Sequence, residues 1–227
     1  AWARNRESRC VAVCNVHVVV TASKDDDYRK VINEADMATP DGYPIAWMLR
    51  RRGFPEQQRI YGPDLMWALC EQCAAEGLPV YLYGSSEETL SVLSKRLLDA
   101  FPALDICGFE APPFRPASVE EDKATVSRIN SSGAGIIFVA LGCPKQERWM
   151  TEHRGRVKGV MIGVGAAFDF FAGTVRQAPR WMQDHGLEWA FRLSVEPRRL
   201  WKRYLFTNSY FVSRVAKDWV AEKRGNH

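Results

Sequence analysis

The chain has 227 residues, 46% hydrophobic and 26% charged, which suits one large folded domain, or a domain with an appendage, and excludes a disordered chain. Its net charge of +4 is uneven: between Glu196 and Arg224 eight Lys/Arg stand against three acids, so the basic excess belongs to the C-terminal tail. No run approaches the roughly 18 apolar residues of a spanning helix and no signal-peptide core opens the chain, so neither a membrane-spanning protein nor secretion by that route is expected; a start at Ala1 leaves room for native residues before it.

Val11 to Cys14 reads as a first short strand ending at Asn15. A helical stretch follows, with Tyr28, Val31, Ile32 and Ala35 at helical spacing and Asp25-Asp26-Asp27 at its start. Carboxylates in a first turn favour the helix dipole, which is preferred to a metal site for these three. Asp36 to Thr39 is the next strand and runs into Pro40-Asp41-Gly42, placing Asp41 at a strand's carboxyl edge before a helix with Pro44 in its first turn. Open α/β sheets bind ligands along that edge, although a turn or cap role for Asp41 stays open on these residues alone. Arg50-Arg51-Arg52 closes the helix. Arg59 and Gly62-Pro63-Asp64 lead into another, with Leu65, Leu69 and Cys73 on one side.

Pro79 to Gly84 is a buried strand, followed by a glycine turn and a serine placed to cap the next helix. Leu104 to Gly108 is a further strand, and Pro112-Pro113-Phe114-Arg115-Pro116 is a stiff loop. Gly135 to Glu147 organises the chain. Its apolar first half is bounded by glycines and too short for a core helix, so it reads as a strand buried on both faces, as in parallel sheets. It breaks at Gly142 and restarts at Pro144, a first helical residue with no N–H to satisfy. Strand, tight turn and helix start aim backbone N–H groups at the sheet edge, where a diphosphate can bind beside Lys145 and Gln146; an ordinary turn with a solvated Lys-Gln-Glu is the alternative. Gly159 to Asp169 repeats the strand with glycines at its end, an incomplete dinucleotide fingerprint.

Beyond Pro197, Leu200, Trp201, Tyr204, Leu205, Phe211, Val212, Val215 and Trp219 recur at helical intervals among Arg198, Arg199, Lys202, Arg203, Arg214 and Lys217. This predicts a basic amphipathic helix, broken near Asn208, that either docks on the chain's own sheet or lies in an anionic lipid surface. Interleaved large apolar residues favour lipid over nucleic acid. Cys10, Cys14, Cys70, Cys73, Cys107 and Cys143 read as reduced thiols, and Cys70-x-x-Cys73 has no second pair at zinc-ligand spacing. His17, His153, His185 and His227 are scattered, so no Ser–His–acid or Cys–His set is expected. What remains is a crevice with one placed carboxylate, an arginine, glycine turns and a lipid-seeking tail, which suits transfer of a group from a diphosphate-activated donor.

Asn15-Val16-His17, Thr39-Pro40-Asp41-Gly42, Arg59 with Gly62-x-Asp64, Leu141-Gly142-x-Pro144-Lys145-Gln146-Glu147, Gly163-Val164-Gly165-Ala166-Ala167-Phe168-Asp169, Arg176-x-Ala178-Pro179-x-Trp181, and Gly186-Leu187-Glu188-Trp189 with Glu196-Pro197-x-Arg199 together resemble the WecB/TagA/CpsF glycosyltransferases, glycosyltransferase family 26. The resemblance spans almost the whole chain in order. It implies an α/β fold, a Rossmann-like, mostly parallel sheet flanked by helices over residues 1–196, with a basic membrane-associating helical appendage over 197–227. It implies inverting transfer of a hexose or N-acetylhexosamine from a UDP-sugar to an undecaprenyl-diphosphate-linked saccharide, in bacterial surface polysaccharide synthesis. Metal is not expected to be needed, and the place is the inner face of the cytoplasmic membrane. The family's base falls on Asp41, and its donor-pocket residues on Asn15, Arg59 and Gln146. Asp64, Gly84, Lys145, Glu147, Gly163, Gly165 and Asp169 complete the expected substrate-binding set, and Arg198, Arg199, Lys202 and Arg203 are expected at the membrane and acceptor. Nucleic acid is not an expected partner, and homo-oligomerisation is left open.

One position departs from the pattern. Val13 stands where the family often has a threonine, and losing such a hydroxyl contact typically costs about 0.5–1.5 kcal/mol. That departure is the best support for an alternative, a non-catalytic module binding nucleotide-sugar or lipid diphosphate at a membrane. A nicotinamide oxidoreductase fails on the incomplete glycine fingerprint.

Overall fold

Short apolar runs bounded by glycine or proline become the strands of one sheet, and the helices between them cover both its faces. The computed structural model describes residues 1–225, with side chains described through Asp218. Trp219 and His227, named above, lie outside the described side chains. In chain order the elements are β1 (Arg9–Cys14), α1 (Val16–Lys24), α2 (Asp26–Asn33), β2 (Met37–Pro40), α3 (Tyr43–Arg51), α4 (Gly62–Glu76), β3 (Val80–Gly84), α5 (Glu87–Ala100), β4 (Ile106–Glu110), α6 (Val119–Ser131), β5 (Ile136–Ala140), α7 (Lys145–Glu152), β6 (Val160–Gly163), α8 (Ala167–Ala172), α9 (Arg180–Asp184), α10 (Glu188–Val195) and α11 (Pro197–Gly225).

All six strands are parallel, in the order β2-β1-β6-β5-β3-β4, so the expected Rossmann-like α/β fold is observed. Alternate residues of each central strand enter opposite layers. Val11, Val13, Leu82, Phe138 and Ile162 pack under α4, α5 and α8. Ala12, Cys14, Tyr83, Val139 and Met161 pack under α1, α2, α6 and α7. Leu82, Phe138 and Met161 are fully buried in these layers, and burying each such side chain contributes about 1.5–3 kcal/mol.

Five helices, α1, α6, α8, α9 and α10, go beyond the sequence reading, α8 starting at Ala167 inside the stretch read as a strand end. Four valines make Val16–Lys24 look extended, because β-branched residues favour strands. Asn15 decides otherwise: its side-chain oxygen accepts from the N–H groups of His17 and Val18, at 3.0 and 3.2 Å, and starts α1. Helix α6 opens on a capping box between Ser118 and Glu121.

Boundaries differ elsewhere. The fourth strand lies two residues later than expected, because Leu104 is turned inward by its N–H bond to Phe101 O and packs in the core from a loop. The buried face of α4 is Met66, Cys70 and Cys73, with Leu65 and Leu69 at its margin. Pro144 caps α7 instead of sitting in its first turn. Helix α11 passes Asn208 without a break; it contains no proline beyond its first residue, and it is supported by packing on α1 and α10 instead of on the sheet.

Candidate active site

The carboxyl ends of β2, β1, β6, β5 and β3, roofed by α10 and α11, enclose a cavity of about 960 Å³. Strand registers put Pro40, Cys14, Gly165, Leu141 and Ser85 at one level along this edge. The first residue after β2 is Asp41. Its N–H bonds to Cys14 O at 2.9 Å, fixing the chain as it leaves the sheet, and Gly42 follows at φ +90°, a left-handed turn that glycine makes without strain. The Asp41 carboxyl therefore faces the cavity. Burial pushes its pKa up to about 7, and the nearby Glu188 carboxylate adds to the rise; Arg59 and the Asn15 amide favour the charged form and hold the rise down.

Asn15 has a double task. Its oxygen is committed to the α1 cap, which leaves the amide N–H groups for Asp41. Arg59 donates to the main-chain oxygen of Gln183 at 3.1 Å and lies over the Tyr61 ring at 4.8 Å. Tyr61 in turn donates to Glu188 at 3.1 Å. Burial raises the Glu188 pKa, while Arg192 one turn along α10 draws it down. Gly186 lets the approach to α10 press on Tyr43, whose own Cβ would lie 3.3 Å from an added Cβ. That contact sets α10 against α3.

The expected Lys-Gln-Glu turn behaves differently from a solvated one. Gln146 and Glu147 are 4% and 2% exposed. Gln146 accepts from the Gly142 N–H at 3.2 Å and donates to Glu147 at 2.8 Å, so both ends of its amide are fixed. The Gly142 N–H expected to face an anion is thereby occupied. Gln146 also stands against Gly163, where a Cβ would come within 2.9 Å of its nitrogen.

Of the expected residues, the cavity gathers Asp41, Asn15, Arg59, Gln146, Gly163, Gly165 and Asp169, with Arg199 and Arg203 of α11. Others stand apart. Lys145 points to solvent. Glu147 lies behind Gln146, where burial favours its neutral form. Asp64 pairs with Arg180 at 3.0 Å. Gly84 is glycine because a Cβ would sit 2.5 Å from the Ala140 carbonyl oxygen; the residue that reaches the cavity there is Ser85. Arg198 and Lys202 are exposed and do not line the cavity.

Sequence reasoning missed several participants. Glu188 and Arg192 enter from α10, and His17 from the first turn of α1. Burial pushes the His17 imidazole down to about 4, and its Nδ1 is buried without a partner among the described residues. The side-chain Nε atoms of Arg192 and Arg203 are likewise buried with no acceptor. The position of His17 beside Asn15, and of Glu188 in the Gly-Leu-Glu-Trp motif, was the available signal. Among the described residues no three His, Cys, Asp or Glu side chains are grouped to hold a metal ion. A family model described as the glycosyl transferase WecG/TagA/CpsF family matches residues 1–225.

Proposed function

The chain belongs to the WecG/TagA/CpsF glycosyltransferase family, and from that premise we propose that it moves a hexose or N-acetylhexosamine, with inversion, from a UDP-sugar to a saccharide on undecaprenyl diphosphate, building bacterial surface polysaccharide. The observation that carries this reading is one cavity holding a carboxylate poised near neutral pH together with Arg192 and Arg203, whose Nε atoms are buried without an acceptor among the described residues.

Asp41 takes the proton of the acceptor hydroxyl as its oxygen bonds to the sugar's anomeric carbon. The bond from that carbon to the diphosphate oxygen breaks, and UDP leaves with the electron pair. Arg192 and Arg203 donate to the negative charge that grows on the diphosphate, so that in this reading no metal is required. Addition of a chelator is expected to leave the rate unchanged. Incubating the protein with a panel of UDP-sugars and a short-chain polyprenyl-diphosphate saccharide tests the reading: acceptor mass increased by one sugar supports it. No product with any donor overturns it.

In this proposal residues 1–196 form the catalytic domain and 197–227 a membrane-associating appendage, of which 226 and 227 lie outside the described residues. Among the described residues no helix is long and apolar enough to cross a membrane. Helix α11 buries Leu200 but leaves Trp201, Leu205, Phe206 and Val212 49–67% exposed, with Trp201, Leu205 and Val212 at the open rim of the cavity and Phe206 outside it, beside the outward Arg198 and Lys202. Such a surface suits the anionic headgroup layer of the inner face of the cytoplasmic membrane. Replacing Leu205 and Phe206 with serine is expected to reduce co-sedimentation with anionic liposomes about tenfold, without loss of folding; unchanged co-sedimentation would refute the assignment.

Val13 is 6% exposed and paired in register with Thr39 of β2, whose hydroxyl is buried without a partner. Val13→Thr places a second hydroxyl beside it. Turnover is expected to be equal to wild type or higher, and a loss beyond tenfold would argue against any catalytic use of a hydroxyl at this position.

A further inference from the structure

Only Arg6 and Ser85 among the described non-glycine residues have positive φ. Arg6 anchors its turn by donating to the main-chain oxygens of Asn130 and Ala134. Ser85, at φ +61°, has no such anchor for its side chain. Its N–H bonds to Ala140 O at 3.2 Å, which any residue would do. The helix cap is supplied by Ser86, whose side-chain oxygen accepts from the Thr89 N–H. The Ser85 hydroxyl makes no hydrogen bond to the described residues and lines the cavity. A left-handed serine is strained where glycine would be at ease, and nothing in the fold uses the hydroxyl.

Its place along the sheet edge says what would. Asp41 follows β2 and Ser85 follows β3, four strand steps away in the order β2-β1-β6-β5-β3. That separation is about 19 Å, on the scale of a sugar, a diphosphate and a nucleoside in line. The wall between them includes Gly142, Gly163 and Gly165, which offer no side chain to hydrogen-bond a ligand. With the transferred sugar at Asp41 and the diphosphate under Arg192 and Arg203, the nucleoside reaches the β5–β3 end.

We propose that the Ser85 hydroxyl hydrogen-bonds the nucleoside of the donor and helps to select it, its unused hydroxyl and left-handed backbone being what the structure shows. The inference rests on the transferase reading above. The test is calorimetric binding of UDP and UMP to wild type, Ser85→Ala and Ser85→Gly, with a melting curve for each. Ser85→Gly relieves the backbone and is expected to melt no lower than wild type, while Ser85→Ala keeps the strain. Both are expected to bind UDP and UMP about three- to tenfold more weakly, the usual weight of one neutral hydrogen bond. Wild-type affinity in both variants overturns the proposal, as does a loss seen with UDP and not UMP. If wild type itself binds neither nucleotide, it is the transferase reading that fails.

Discussion

Asp41→Asn is expected to cut transfer by about 10²–10⁴-fold, the usual worth of a positioned general base, while making the protein more stable above neutral pH. The carboxyl of a free aspartate titrates near 3.9, whereas burial and Glu188 bring Asp41 to about 7 in the fold. The folded state therefore binds more protons than the unfolded state between those values. Stability drawn from this group is complete below about 3.9 and is lost as pH rises through 7. Asparagine keeps the shape and removes that cost. The variant should melt close to wild type below pH 4 and progressively higher as pH rises, by about 10 °C at pH 8, since a rise from 3.9 to about 7 is worth about 4 kcal/mol and about 2–4 °C corresponds to 1 kcal/mol in a chain of this size. A variant less stable at pH 8 would show that Asp41 is structural.

Arg203→Met and Arg192→Met are each expected to lower kcat by about 10²–10³-fold, as removal of a preorganised donor to a developing charge does elsewhere. Neither should reduce the melting temperature much. Each side chain leaves its Nε buried without an acceptor among the described residues, an arrangement that costs the resting fold about 1–3 kcal/mol. The guanidinium lies over the Phe170 ring in one case and the Tyr204 ring in the other, and methionine puts an apolar chain of similar length there. Lysine at either position should restore only part of the rate, because it keeps the charge and loses the planar pair of donors. Wild-type kcat in both methionine variants would remove the arginines from the reaction. Helix α10 brings Arg192 to the cavity, and α11 brings Arg199 and Arg203 there while Arg198 and Lys202, one position earlier in each turn, do not line it.

That division on α11 shows where the sequence stops being legible. Strands buried on both faces announce themselves as apolar runs, and β1, and β3, β5 and β6 with their glycine turns, could be read directly, as could Asp41 at the end of β2. Helix α1 could not, because five β-branched residues argue for a strand and one capping side chain overrules them. Which row of a basic helix turns inward is decided by its packing on α1 and α10, a tertiary fact with no signature in spacing. For the same reason Glu188 and Arg192 were invisible as partners of Asp41: they arrive from about 150 positions later in the chain. The burial of Glu147 depends on the Gln146 amide in front of it, and the conformation of Ser85 on the close approach of Gly84 to Ala140.

The most direct test is acceptor-dependent UDP release from pH 5.5 to 8.5, for wild type and Asp41→Asn. Wild-type kcat/KM should rise about tenfold per pH unit on the acid side and level off near pH 7, where the Asp41 carboxyl loses its proton. The residual rate of the variant should be low and lack that bend. A bend retained in Asp41→Asn at an undiminished rate would contradict the assignment of Asp41 as the base on which the whole account rests.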